Sequence, residues 1–283
     1  MKTSTVELHA GSLRLALRPD LGGAIAGLWH GATPVLRCTE GADLTAASLS
    51  ACYPLVPYSN RVGHRRFHWQ GQEHQLAANF EDYPHTLHGV ARLRAWTVLS
   101  SSATQAEMVY RHTADADWPF AFDVHQRFGL TPQGLRVGLA ITNRAEQPQP
   151  VGLGWHPYFE PRQQARLHLD VTERWDGDAE GLAKTVVPQA GIHDAVADLD
   201  LDNCYGGWQG PALISDAQLA LRLTSSLPYV VVYTPTTKPF YCVEPVSHVS
   251  NAIQMADPAA HGLRTLAPGA TFDAWMQLDI APA

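Results

Sequence analysis

The run Phe120–Phe128, FAFDVHQRF, decides the fold class. Phe120, Phe122, Val124, Gln126 and Phe128 fall on one side of an extended chain, and Ala121, Asp123, His125 and Arg127 on the other. Successive side chains of a strand point to opposite faces, so this alternation marks a strand with one face in a core. Leu135, Val137, Leu139 and Ile141 repeat the pattern, with Arg136, Gly138, Ala140 and Thr142 opposite. Thr131-Pro132-Gln133-Gly134, between the two runs, is a turn signal.

Outward from this pair, the segments around Leu167–Val171, Leu219–Leu223 and Tyr229–Tyr233 also read as strands. Gln147-Pro148-Gln149-Pro150, Asp176-Gly177-Asp178 and Pro268-Gly269 supply further turns. Helical periodicity is scarce, and a short turn near Thr45–Ser50 is the best candidate. With 22 Gly and 20 Pro punctuating short strands, and no βαβ rhythm, the chain is predicted to be all-β. A two-sheet antiparallel sandwich is the architecture expected at this length. No repeat, low-complexity tract or composition break marks a boundary, so residues 1–283 read as one domain. Sites on such a sandwich are assembled from distant strands, so the residues carrying chemistry should be scattered along the chain.

The bulk charge narrows the function. A net charge of −7 is the opposite of the basic surplus that a nucleic-acid binder usually carries. The first 20 residues hold no apolar segment long enough for a signal peptide, and the apolar run Tyr229–Tyr233 is far too short to span a bilayer. Cys38, Cys52, Cys204 and Cys242 are irregularly spaced with no C-x-x-C, which fits buried reduced thiols better than disulfides. The expectation is a cytoplasmic protein without nucleic-acid or membrane partners. Oligomeric state is not legible.

Of the 14 histidines, the closest spacings are His64/His68 and His85/His88, with His64 and His68 in an arginine-rich hairpin that disfavours a further cation. No metal site is expected, and most histidines read as solvated surface groups. No G-x-S-x-G elbow, phosphate loop or dinucleotide fingerprint occurs. Four clusters remain: Pro57-Tyr58-Ser59-Asn60-Arg61-Val62, His85-Thr86-Leu87-His88-Gly89, Gly152-Leu153-Gly154-Trp155-His156-Pro157-Tyr158-Phe159 and Tyr241-Cys242-Val243-Glu244-Pro245-Val246. Each sets a polar, titratable side chain among aromatics, Gly and Pro. Arg61 and His88 taken alone are as well explained by loop structure as by function, and a buried structural histidine would account for His156. Glu244 is the hardest to explain structurally: it sits in an apolar strand, and burying a carboxylate is costly unless it is paired or used.

Taken together and in order, these clusters resemble the signature segments of the aldose 1-epimerase (galactose mutarotase) family. The resemblance runs from about Gly22 to Trp275, and the terminal Leu266–Ile280, LAPGATFDAWMQLDI, looks like the family's last strand pair. It implies a galactose-mutarotase-like β-sandwich that acts on a small sugar without cofactor or metal. By that analogy His156 is the general acid, Glu244 the general base, and Arg61 and His88 bind substrate. Asp202, in Leu201-Asp202-Asn203-Cys204-Tyr205, matches an Asp-containing loop that holds sugar hydroxyls. Val90 departs from the family pattern, which has a second glycine after Leu87-His88-Gly89. Trp155, Tyr158 and Tyr58 are the candidates to stack on the sugar.

Such chemistry needs one base and one acid, because ring opening takes a proton from the C1 hydroxyl and gives one to the ring oxygen; each group typically contributes ~10²–10⁴-fold. Three alternatives stay open at this point. A hexose-6-phosphate epimerase would recruit Arg61, Arg65, Arg66, Arg92 or Arg94 for the phosphate. A non-catalytic sugar-binding protein on the same fold would keep Arg61 and Asp202 alone. Glycoside hydrolysis or lyase chemistry would need a second carboxylate, and Asp202 is the only obvious partner for Glu244.

Overall fold

The computed structural model describes residues 5–283. Two large sheets dominate it, and the strand pairs within them are antiparallel. In the nine-stranded sheet the strands run, in spatial order, Thr97–Ser101, Gln105–His112, Phe122–Thr131, Gly134–Asn143, Thr271–Pro282, Leu219–Ser225, Ala212–Ser215, Arg166–Leu169 and Ile192–Ala195. The run that decided the class pairs as the alternation demands: Phe122 faces Asn143, Val124 faces Ile141 and Phe128 faces Val137 across the ladder. Gln126, the one polar residue on the buried side, donates from Nε2 to the Gly23 carbonyl at 2.8 Å, which offsets the cost of its burial. Near Thr45–Ser50 there is a single 3₁₀ turn, Ala47–Leu49.

The second sheet orders Ala183–Pro188, Glu173–Gly177, Asp202–Gly206, Tyr229–Tyr233, Tyr241–Val246, Gly154–Trp155 and Pro54–Leu55, with Tyr158–Phe159 also paired to Tyr241–Val246. Its strands divide cleanly by parity. Tyr205, Val230, Val232, Tyr241 and Val243 point into the main core with Phe122, Val124, Val137 and Ile141 of the first sheet. Burying each such side chain contributes ~1.5–3 kcal/mol. The intervening residues, Cys204, Val231, Cys242 and Val246, point the other way into a smaller cluster with Tyr53, Leu55, Tyr158 and Trp175. The architecture is therefore the predicted all-β antiparallel sandwich, and the second face of the second sheet is free to carry a site. Among the described residues no helix is long and apolar enough to cross a membrane.

Candidate active site

Glu244 lies mid-strand in Tyr241–Val246, and its parity directs it to that second face. The ladder pairs Gly154 with Val246 and Tyr158 with Cys242, so the same register puts His156 directly across from Glu244. The ladder is interrupted there: Pro157 has no N–H to give, and the His156 N–H donates instead to the Tyr53 carbonyl at 3.0 Å. The imidazole Nε2 comes to 3.4 Å from Glu244 Oε1. Both residues are buried, at 6% and 3% exposure. His156 stacks on Tyr158 with ring centroids 4.4 Å apart, and His88 meets it edge-on at 5.1 Å.

Burial pushes the Glu244 carboxyl well above its ordinary range; the Asp202 charge adds to this and Arg61 opposes it. Burial also pushes His156 down to about 3, with the charges of Arg37 and Arg92 acting the same way. His88 is driven well below the usual imidazole range, first by burial and then by the neighbouring His156. Both members of the pair are withdrawn from solvent and pushed toward their neutral forms.

Arg61 reaches the same place by a different route. The short strand Arg61–Val62 pairs with Thr86–Leu87, so Arg61 stands opposite Leu87 and beside His88. Three acceptors hold its guanidinium: Tyr83 Oη from Nε at 2.6 Å, Asn60 Oδ1 from Nη1 at 3.0 Å and Asp202 Oδ2 from Nη2 at 3.2 Å. His88 Nδ1 accepts the Asn60 N–H at 3.2 Å, which leaves Nε2 as the proton-bearing nitrogen of the neutral ring. Asp202 opens the strand Asp202–Gly206 and pairs with Tyr233.

The result is one cleft of about 150 Å³ lined by Asn60, Arg61, Leu87, His88, His156, Asp202, Val231, Tyr233 and Glu244. The five residues singled out in the sequence, Arg61, His88, His156, Asp202 and Glu244, all border it. Asn60, Tyr83 and Tyr233 were missed. Asn60 lay inside a quoted cluster, and Tyr233 shares the parity of Val231, which the register sets opposite Glu244; nothing local marked Tyr83. The three aromatics proposed to stack on a sugar do not line the cleft. Trp155 is fully buried, Tyr158 is packed behind His156, and Tyr58 is packed on Trp118. Tyr233 is the aromatic at the cleft wall.

Ten of the 14 histidines are exposed or half-buried, which fits the reading of most as surface groups. His85, His112, His156 and His248 are buried, and His88 is half-buried. In His85, His112 and His248 both ring nitrogens meet fixed partners, which offsets the cost of burial, whereas His156 Nδ1 has none. In His248, Nδ1 donates to the Val249 carbonyl at 2.8 Å and Nε2 accepts the Ser59 N–H at 3.1 Å.

Two buried titratable groups, a clamped arginine and an aspartate thus share one cleft on one face of an antiparallel sandwich. Comparison with known proteins supplies the family. The family model described as aldose 1-epimerase matches residues 4–279, and the chain belongs to that family. YphB of Escherichia coli (strain K12), itself described as uncharacterized, is 34% identical over 290 residues, covering 96% of this chain and 97% of YphB. A crystal structure of an Escherichia coli K12 protein superposes with a TM-score of 0.90 at 30% identity, covering 99% of both chains. A galactose mutarotase-like protein from Clostridium acetobutylicum shares the fold, with a TM-score of 0.84 at 18% identity over 99% of this chain and 95% of that one.

Proposed function

We propose that this protein is a mutarotase that interconverts the α and β anomers of a free aldose, with His156 and Glu244 as its proton-transfer pair. The observation that carries the reading is the 3.4 Å approach of the two buried groups on the wall of a monosaccharide-sized cleft. Pockets for drug-sized ligands are larger, at ~300–1,000 Å³. In the forward step the Glu244 carboxylate takes the proton of the C1 hydroxyl, the C1–O5 bond breaks as C1=O1 forms, and the His156 imidazolium gives its proton to O5. Rotation about C1–C2 presents the other face of the aldehyde, and closure returns both protons. No group is consumed.

The opposed displacements of the two groups suit this task. A carboxylate whose pKa is raised is a stronger base, and an imidazolium whose pKa is depressed is a stronger acid. Between them the pair holds one proton, and its titration belongs to the pair rather than to either residue. Sugar hydroxyls that donate to Glu244 favour the charged arrangement that burial disfavours. Arg61 and Asp202 hold ring hydroxyls through charge-assisted hydrogen bonds.

The single-proton pair predicts the pH profile. Gain of a second proton is held down toward the depressed value of His156, near 3, and loss of the one proton is held up by the raised Glu244. The kcat/KM for anomer exchange is therefore expected to stay flat through pH 6.5 and to fall only on the alkaline side as the pair loses its proton. An inflection near pH 6.5 in saturation-transfer NMR would show instead that His156 equilibrates with solvent like a free imidazole.

Free sugar is favoured over sugar phosphate by what surrounds the cleft. Arg61 is its one cationic wall residue, and three of its five N–H groups are already held by Tyr83, Asn60 and Asp202. Arg65, Arg66, Arg92 and Arg94 do not line it: Arg92 is buried and Arg94 is paired with Asp117. Polarimetry or NMR across free aldoses and glucose 6-phosphate tests this. Faster exchange with the phosphate would reverse the assignment, and binding without acceleration of any sugar would favour a non-catalytic binder. Asp202→Asn, which weakens one hold on Arg61 and one on the sugar, is expected to raise KM about tenfold with kcat little changed, as loss of one charge-assisted bond implies. A fall in kcat at constant KM would place Asp202 in the chemical step instead.

A further inference from the structure

The mechanism leaves one group beside the pair unused. Cys242 is a free, fully buried thiol two residues before Glu244 on the same strand and the same face. It stands across the ladder from Tyr158, next to His156. One ligand atom each from His156, Cys242 and Glu244 can be chosen so that all three lie within 4.8 Å of one another. The His156–Glu244 approach of 3.4 Å is close to the ~3.3 Å that separates two ligands around a tetrahedral Zn²⁺ with bonds of ~2.0–2.1 Å. Nitrogen, sulfur and oxygen donors together suit zinc and its neighbours rather than magnesium or calcium. His156 and Glu244 both border the cleft, which gives a cation a way in and leaves it an open coordination position.

We propose that His156, Cys242 and Glu244 form an inhibitory site for a thiophilic divalent cation, with Zn²⁺ as the reference ion. Coordination follows from the placement of the three side chains. Only its consequence, inhibition, rests on the reading of His156 and Glu244 as the proton-transfer pair. On binding, the Cys242 S–H bond breaks as the S–Zn bond forms, and the proton leaves to solvent; a proton on Glu244 is released the same way, and nothing is oxidised or reduced. Because the thiol gives up its proton on coordination, affinity rises with pH.

A second trio, His168, Asp170 and His193, lies exposed on neighbouring strands, with the two Nδ1 atoms 2.7 Å apart. It has no sulfur, so the spectrum of bound cobalt separates the two sites. Titrating the full chain with Co²⁺ is expected to raise a near-ultraviolet thiolate-to-cobalt band, which Zn²⁺ abolishes. Cys242→Ser is expected to lack the band, whereas Cys52→Ala and Cys204→Ala keep it. In the anomer-exchange assay Zn²⁺ should inhibit the native protein reversibly by chelator. Cys242→Ser should keep its basal rate and need about tenfold or more Zn²⁺, since even outer-shell changes cost ~10–100-fold in metal affinity. A folded native protein with no thiolate band overturns the site, as does Cys242→Ser inhibited at the same Zn²⁺ level. If no sugar is anomerised at all, the functional reading fails, and the cobalt band alone decides this one.

Discussion

Glu244→Gln is expected to slow anomer exchange by ~10²–10⁴-fold in a chain that stays folded, and His156→Asn to do the same. Glutamine keeps the shape of glutamate and its place in the strand, but it cannot take a proton. Asparagine keeps a polar group near Nδ1 and loses the donor facing Glu244. The two residues act as a unit, so the double variant should be little slower than either single one. Stability should move the other way. The carboxyl at 244 has a raised pKa in the fold, so the stability it contributes is present below the unfolded value, ~4.3, and is lost as pH rises through the folded value. Glutamine does not ionise and carries no such loss. Urea midpoints of Glu244→Gln should therefore equal or exceed the native ones at pH 7, with the advantage gone at pH 4. Exchange within tenfold of native in either variant would remove both residues from the proton transfers.

How much of this was legible beforehand depended on whether the signal was local. The alternation from Phe120 to Phe128 and from Leu135 to Ile141 is local, and it named both the strands and their buried faces. Glu244 was legible because a carboxylate in an apolar strand contradicts its surroundings. Its facing of His156 was not, because that depends on a register set by Gly154–Val246 and Tyr158–Cys242. Arg61 and His88 had no argument of their own and came only through the family resemblance. The clamp on Arg61 stayed hidden for the same reason as the register: Tyr83 and Asp202 approach it from 22 and 141 residues away. The four buried histidines were not legible because sequence shows exposure only through amphipathic pattern, whereas the burial of His112 rests on the Tyr110 hydroxyl and the Trp118 carbonyl. Among the stacking candidates Trp155 misled through parity: it is one residue from His156, and one residue along a strand is the opposite face.

Gly89→Ala should produce the largest loss of stability among single-methyl additions near the cleft. Gly89 has φ +68°, where L side chains are strained. A Cβ there would lie 2.0 Å from the Val56 carbonyl oxygen and 2.8 Å from the Pro57 nitrogen. That oxygen has no freedom to retreat, because it accepts the N–H groups of both Val90 and Ala91, at 3.0 and 3.2 Å. The left-handed backbone costs an alanine ~1–2 kcal/mol, overpacking ~1–3 and two weakened hydrogen bonds ~1 each, so the loss is roughly 4–7 kcal/mol. At ~2–4 °C per kcal/mol for a chain of this order, the melting temperature should fall by on the order of 10 °C. Because His88, itself at φ +62°, is the preceding residue, the same change should raise KM as its ring leaves the cleft wall. Val90, where the family has glycine, is the internal control. Its φ of −98° and ψ of −27° suit any residue, and its side chain is buried in the core. Val90→Ala should therefore cost stability through lost burial alone and leave KM unchanged. If Gly89→Ala melted within ~2 °C of the native protein, the Val56 carbonyl would be yielding freely, and the turn would not be what fixes His88.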